Sequence, residues 1–270
     1  MRRIHIRDLN FFSERFPERP NPYFEWVWDR TLQDNDVTVF TDQFLHEALR
    51  NKSRVKVGVL FEPPAISPEV YAFARTHEEA FDYICTFDES LIASVGSKFV
   101  PYIYGTSWIH TGTWGVYPKT RHASMIMSSK KITPGQRLRH EVAGRYGSHF
   151  SLFGRGIRPI ENKIDGLKDY RYSIAMENCR VNAYFTEKVM DCFLTGTIPI
   201  YYGCPKIMKF FNPVGVYTFE NLDELDGILK GLSEEDYRSR LSAVWENFAK
   251  AVEYFWFEKS LWKSCLSRVV

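Results

Sequence analysis

Tyr172-Ser173-Ile174-Ala175-Met176-Glu177-Asn178, followed after five residues by Tyr184-Phe185-Thr186-Glu187-Lys188-Val189, decides how this chain is read. The first half is an apolar strand that ends in two polar residues. The second half opens a helix: Thr186 suits the cap position, and Glu187 in the first turn is favoured by the positive end of the helix dipole. Strand, loop and helix start together bring polar side chains and unpaired backbone N–H groups to one strand edge, where α/β proteins receive anions. Lys188 is out of place there, because the same dipole disfavours a cation. Either a bound diphosphate offsets its charge, or the side chain extends into solvent.

Outward from this stretch, short β-branched and aromatic runs alternate with helix-period segments, the pattern of parallel sheets wrapped by helices. In the first half strands are expected at 37–40, 55–61, 83–87 and 99–103, with helices at 42–51, 67–81 and 89–95. Residues 104–119 hold Gly105, Gly112, Gly115 and Pro118 with no period, and read as a linker or cleft loop. In the second half strands are expected at 123–127, 149–153, 172–176, 198–202 and 214–219, and helices at 134–146, 186–194 and 222–232, with a helical tail from Glu234. The expected fold is α/β with two Rossmann-like domains, 1–110 and 118–245, and a tail, 246–270, that packs back on the first.

Lys+Arg 35 against Asp+Glu 33 leaves a net charge of +2, too little for a nucleic-acid binder. No apolar run reaches the roughly 20 residues of a membrane helix. The tail aromatics Tyr254 to Phe257 and Trp262, with Lys259, Lys263 and Arg268, either make peripheral membrane contact or close a core. Five cysteines, odd in number and without a CxxC pair, argue against a disulfide framework and a zinc site. With no leader sequence evident, a cytoplasmic location is expected. Asp34-Asn35-Asp36 has a metal-binding DxD form, yet it precedes a strand and reads as a turn. Gly154-Arg155-Gly156 lacks the third glycine of a dinucleotide motif, which weighs against an oxidoreductase.

Met176-Glu177-Asn178-Cys179, Tyr184 to Val189, Gly196-Thr197-Ile198-Pro199-Ile200-Tyr201-Tyr202-Gly203 and Phe211-Asn212-Pro213 resemble the donor-binding signature of the alpha-1,3/1,4-fucosyltransferases, glycosyltransferase family 10. The match runs in order from about Lys119 to Leu232. It implies a GT-B fold, two Rossmann-like domains facing a central cleft, with donor bound by the C-terminal domain and acceptor mainly by the N-terminal one. It further implies an inverting transferase that moves fucose from GDP-fucose to a hydroxyl of an acceptor glycan, in an alpha-1,3 type linkage. GDP-fucose is then a substrate, no cofactor is required, and a divalent metal is optional.

The same resemblance implies roles for individual residues. Ser128 lies in the turn ahead of a helix whose Arg139 contacts the donor phosphates together with Lys188, with Arg137 close enough in sequence to be confused with it. Asn178, Tyr184 and Glu187 position the ribose and sugar. Glu62, at the end of the Val57–Phe61 strand, is the base that takes the acceptor proton, with Glu69, Asp88 and Glu89 as rivals. Apart from the resemblance, the aromatic loop residues Trp108, His110 and Trp114 either stack on the acceptor sugar or anchor their loop. Met176 and Cys179 stand where the family more often has Phe and Ser or Thr, so another GDP-sugar donor, or a non-catalytic sugar-nucleotide-binding protein, stays open.

Overall fold

Among the described residues every strand pair is parallel. Parallel strands sit between helical layers and are apolar on both faces, as the buried runs Val37–Thr41 and Val55–Val59 illustrate. The computed structural model describes residues 2–8, 21–28, 35–94, 96–103 and 105–269. The chain divides into an N-terminal unit, Met1–Ile103 with Phe257–Val270, and a C-terminal unit, Tyr104–Trp256.

The N-terminal unit holds β1 (Arg3–Arg7), β2 (Glu25–Val27), β3 (Val37–Thr41), β4 (Val55–Val59), β5 (Tyr83–Thr86) and β6 (Phe99–Pro101), in the order β2-β1-β3-β4-β5-β6. A 3-10 helix at Asp42–Leu49, α1 (Pro68–Thr76) and α2 (Glu89–Ile92) accompany them. Leu45, Ala48, Val70, Tyr71 and Leu91 from these helices close one core against the sheet. The strands β1 and β2 were not expected. In Arg3-Ile4-His5-Ile6-Arg7 only Ile4 and Ile6 are apolar, too short an alternation to stand out between charges, yet both are fully buried between neighbouring strands.

The C-terminal unit holds β7 (Arg121–Ile126), α3 (Pro134–Tyr146), β8 (Ser151–Phe153), β9 (Tyr170–Met176), α4 (Glu187–Phe193), β10 (Ile198–Tyr202) and β11 (Tyr217–Thr218). α5 (Leu222–Gly231), α6 (Glu234–Ser239) and α7 (Leu241–Phe255) follow. The strand order is β11-β10-β9-β7-β8. The chain thus steps from β7 outward to β8, then returns to the other side of β7 to place β9. Such a reversal leaves a crevice at the carboxyl ends of the two central strands, here β7 and β9.

The divisions at 103/104 and 256/257 differ from those expected at 110/118 and 245/246. α7 stays with the C-terminal unit because the buried Asn247 on it exchanges two hydrogen bonds with the Asn212 backbone, at 2.6 and 3.0 Å. The expected continuous tail is broken between α6 and α7 and again at Trp256. Part of its aromatic stripe is used in packing within each unit. Phe255 meets Trp114 edge-on in the C-terminal unit, and Phe257 packs against Trp26, Phe61 and Tyr102 in the N-terminal unit. Among the described residues no helix is long and apolar enough to cross a membrane. Asp34 lies outside the described residues, while Asp36 pairs with Arg54 at 2.6 Å.

If β9 is the central support, truncating it is costly and truncating a surface aliphatic is not. Ile174→Ala, at a buried position on β9, is expected to cost about 2–5 kcal/mol in urea unfolding. Ile157→Ala, at an exposed site, is expected to change stability by less than about 0.5 kcal/mol.

Candidate donor-binding site

Beyond the last residue of β9 the side chain of Glu177 is completely buried (0 % exposed), which a carboxylate tolerates only with partners. Its Oε1 accepts the Thr186 N–H and its Oε2 accepts the Thr186 hydroxyl, both at 2.8 Å. Tyr201, from the adjacent β10, donates to Oε1 at 3.4 Å. The strand end is thereby bonded to the cap residue of α4. The intervening loop reaches this closure through Ala183 in the left-handed region (φ 58), a conformation that costs a non-glycine residue of order 1 kcal/mol.

Lys188 follows directly. Its ammonium lies 3.0 Å from the Thr186 hydroxyl, 3.0 Å from Glu187 Oε1 and 3.4 Å from Glu177 Oε2, with the side chain only 19 % exposed. The ammonium therefore does not extend into solvent. Two carboxylates offset the charge that the sequence assigned either to a diphosphate or to water. Burial pulls Lys188 down, but Glu187 and Glu177 outweigh it and hold the ammonium above its ordinary range. Burial likewise pushes Glu187 up, but Lys188 and Lys163 outweigh it and hold the carboxyl at about 2.

The second wall comes from α3. Thr133 caps it in a capping box: its hydroxyl accepts the Gln136 N–H at 3.3 Å while Gln136 Oε1 accepts the Thr133 N–H at 3.3 Å. The helix start is pressed against the loop after β9. Gly135 N donates to the Asn178 carbonyl at 3.0 Å, and a Cβ on Gly135 would stand 2.1 Å from the Glu177 carbonyl oxygen. Only glycine fits there. About one turn on, the buried Arg139 donates to the Met176 carbonyl at 2.5 Å. Burial pulls its guanidinium down, and Glu177, Glu187 and Tyr184 oppose that pull. Arg137 is exposed and bonds the carbonyls of Lys131 and Ile132, so Arg139 is the arginine that faces the strand end.

Arg139, Tyr184, Glu187 and Lys188 are thus brought together around Glu177, with Asn178 bonded to the start of α3 and the half-buried Ser128 following β7. Glu177 was not among the expected site residues; the signal was a carboxylate ending an apolar central strand. Lys163 was also missed, since nothing in its local sequence marks it. It reaches the Glu187 carbonyl at 3.2 Å and Asp191 at 2.6 Å. Of the three aromatic loop residues, Trp114 is an anchor: its Nε1 donates to the Ile109 carbonyl at 3.1 Å and its ring meets Phe255. His110 is exposed and accepts the Gly112 N–H through Nδ1. Trp108 exposes 66 % of its surface.

Glu62 belongs to the N-terminal unit, directly after the buried Leu60 and Phe61 that extend β4, and is half-buried. Asp42 Oδ1 accepts the backbone N–H groups of Phe61 at 2.8 Å and Glu62 at 3.3 Å. Asp42 takes φ 40, and its burial, with Glu62 and Asp8 nearby, pushes its carboxyl up to about 7. It sits where the N-terminal sheet reverses order, between β1 and β3, beside a 2.5 Å bond from Thr41 to Asp8. Among the rival carboxylates, Asp88 is occupied as the cap of α2, and Glu69 and Glu89 are exposed.

Among the described residues both sheets are wholly parallel, as in the GT-B class of glycosyltransferase folds. Solved structures agree on the fold. An alpha1,3-fucosyltransferase with GDP superposes with a TM-score of 0.58 at 16 % identity, covering 94 % of this chain and 88 % of that one. Residues 119–267, more than half of the chain, match the model of the glycosyltransferase family 10 (fucosyltransferase) C-terminal region. The chain belongs to this family. The alpha-(1,3)-fucosyltransferase FucT of Helicobacter pylori is 36 % identical over 91 residues, and the alpha-(1,4)-fucosyltransferase of Arabidopsis thaliana 31 % identical over 72. The GDP-fucose protein O-fucosyltransferase 3 of Bos taurus is 29 % identical over 96 residues. These matches take in 33 %, 26 % and 33 % of this chain and 19 %, 18 % and 20 % of the relatives, so the shared segment spans about a fifth of each relative's length.

Two substitutions are expected to act on stability with opposite signs. Glu187 is depressed in the fold, so its contribution is present above pH 4.5 and lost as pH falls towards about 2. Glu187→Gln should be less stable than the native chain at pH 7, with the deficit shrinking below pH 4.5. Asp42 is raised, so its contribution is complete below pH 3.8 and lost as pH rises through about 7. Asp42→Asn, whose side chain also tolerates positive φ, should gain on the native chain over that interval. Urea midpoints measured across pH 3 to 8 decide both.

Proposed function

We propose that this chain transfers fucose from GDP-fucose to a hydroxyl of an acceptor glycan, with inversion at the anomeric carbon. The observation that carries the proposal is the convergence of Arg139 and Lys188 at the carboxyl end of β9. In the proposed reaction the acceptor oxygen attacks C1 of the fucosyl group as the bond from C1 to the diphosphate oxygen breaks. Its electron pair leaves with GDP. Charge grows on that diphosphate, and cations held in place beforehand stabilise it more than mobile water does. Arg139 offers a fork that matches two phosphate oxygens, and Lys188 a point charge. A divalent metal is then optional.

Glu62 is proposed to take the acceptor proton. Its placement after an apolar parallel strand, with the supporting Asp42 carboxylate bonded to its backbone, favours it over Asp88, whose oxygen is used as a helix cap. Asn178, Tyr184 and Glu187 are proposed to position the nucleotide ribose and the sugar. Fucose is favoured as the sugar because each relative named above is a fucosyltransferase. Family membership favours an alpha-1,3 type linkage. Five buried cysteines, odd in number and without a CxxC pair, favour a reducing, cytoplasmic setting.

Incubation with GDP-fucose and a glycan panel, followed by GDP release and by NMR of the product's anomeric centre, tests the proposal. A retained anomeric configuration, or turnover only with another GDP-sugar, would refute it. Lys188→Ala and Arg139→Ala are each expected to lower kcat about 100-fold. Glu62→Gln should lower kcat by roughly 10²- to 10⁴-fold while GDP binding, followed by calorimetry, is unchanged.

A further inference from the structure

The helix that carries Glu187 and Lys188 also holds an exposed aromatic residue in place. Asp191, on the same face of α4 at spacings of four and three, is completely buried (0 %). One carboxylate oxygen pairs with Lys163 at 2.6 Å, and that ammonium also reaches the Glu187 carbonyl. The other oxygen accepts the Ser107 hydroxyl at 2.6 Å and the Trp108 N–H at 3.2 Å. Ser107 Oγ in turn accepts the Ile109 N–H at 3.0 Å. Ser107 and Ile109 are buried, and Trp108 between them is not.

A buried ion pair is a costly way to fasten a loop, since desolvation of both charges opposes it and an apolar contact would serve as well. Leaving an indole two-thirds exposed adds to that cost. Both features make sense if the loop exists to present the ring. Hydrogen bonds fix a backbone more exactly than apolar contact does, and a flat aromatic face takes the C–H face of a sugar ring.

We propose that Asp191 is a positioning residue: with Lys163 and Ser107 it fixes the Trp108 backbone, so that the indole is the stacking face for a pyranose ring of the acceptor glycan. This rests on the transferase reading above for the identity of the ligand. The anchor lies about one helical turn, roughly 5 Å, from the start of α4, the helix that also carries Glu187 and Lys188.

The test is a double-mutant cycle in the full chain, read by binding to a glycan array and by transfer from GDP-fucose. Trp108→Ala is expected to raise the acceptor KM about tenfold, with the GDP-fucose KM unchanged, and Trp108→Phe to restore most of the loss. Ser107→Ala and Asp191→Asn should raise the acceptor KM in the same way. Added to Trp108→Ala, neither should raise it further, because both act through the indole. Ser107→Ala, which removes one hydroxyl, carries the cycle if Asp191→Asn does not fold. Multiplicative effects, a changed GDP-fucose KM, or an unchanged acceptor KM in Trp108→Ala would each overturn the proposal. Glycan binding lost in Trp108→Ala, in a native chain that shows no transfer, would sink the transferase reading and leave this one standing.

Discussion

The pair of bonds from the Glu177 carboxylate to the amide and hydroxyl of Thr186 is the contact on which the C-terminal site depends. A buried carboxylate that meets two donors is stable, and left with one it is strongly destabilising. That asymmetry makes the joint between β9 and α4 rigid. It also sets the position of Lys188, whose ammonium bonds the same hydroxyl and lies beside the same carboxylate. Arg139 meets the joint from the other side through the Met176 carbonyl. Each cation is thus oriented by groups that are themselves held, and this preorganisation is what lets a charged site act on a developing anion.

The two units use the same device with opposite electrostatics. Each parallel sheet reverses its strand order once, and each reversal carries a buried carboxylate that accepts backbone N–H: Glu177 from the loop after its own strand β9, and Asp42 from the loop after the neighbouring β4. Around Glu177 the neighbours include Lys188 and Arg139, so negative charge is stabilised. Around Asp42 the neighbours Asp8 and Glu62 are also acidic, and burial keeps its proton bound to near-neutral pH. Cations surround the first carboxylate, whereas the second lies among other acidic groups.

Much of this was legible in the chain. The alternation of apolar runs and helical periods predicted parallel α/β units, and the strand–loop–helix passage from Tyr172 to Val189 appears as β9, a loop and α4. Burial patterns are periodic in sequence, so they can be read there. The strand β1 escaped because five residues with two isoleucines are too short a period to separate from chance. The tail aromatics left two readings open, because an amphipathic stripe looks the same whether its partner is lipid or a sheet; Phe255 and Phe257 of that stripe pack within the fold.

The sequence by itself determined the fold class, the family and the segment at which charged side chains gather. Only the tertiary structure decided which charge meets which. That Lys188 is met by Glu177, eleven residues earlier, that Asp42 supports the Glu62 turn, and that Trp114 is an anchor while Trp108 stands clear all rest on contacts between segments distant in the chain. Coulomb and hydrogen-bond energies depend on separations of a few ångströms in space, and one-dimensional spacing does not encode those once a loop intervenes.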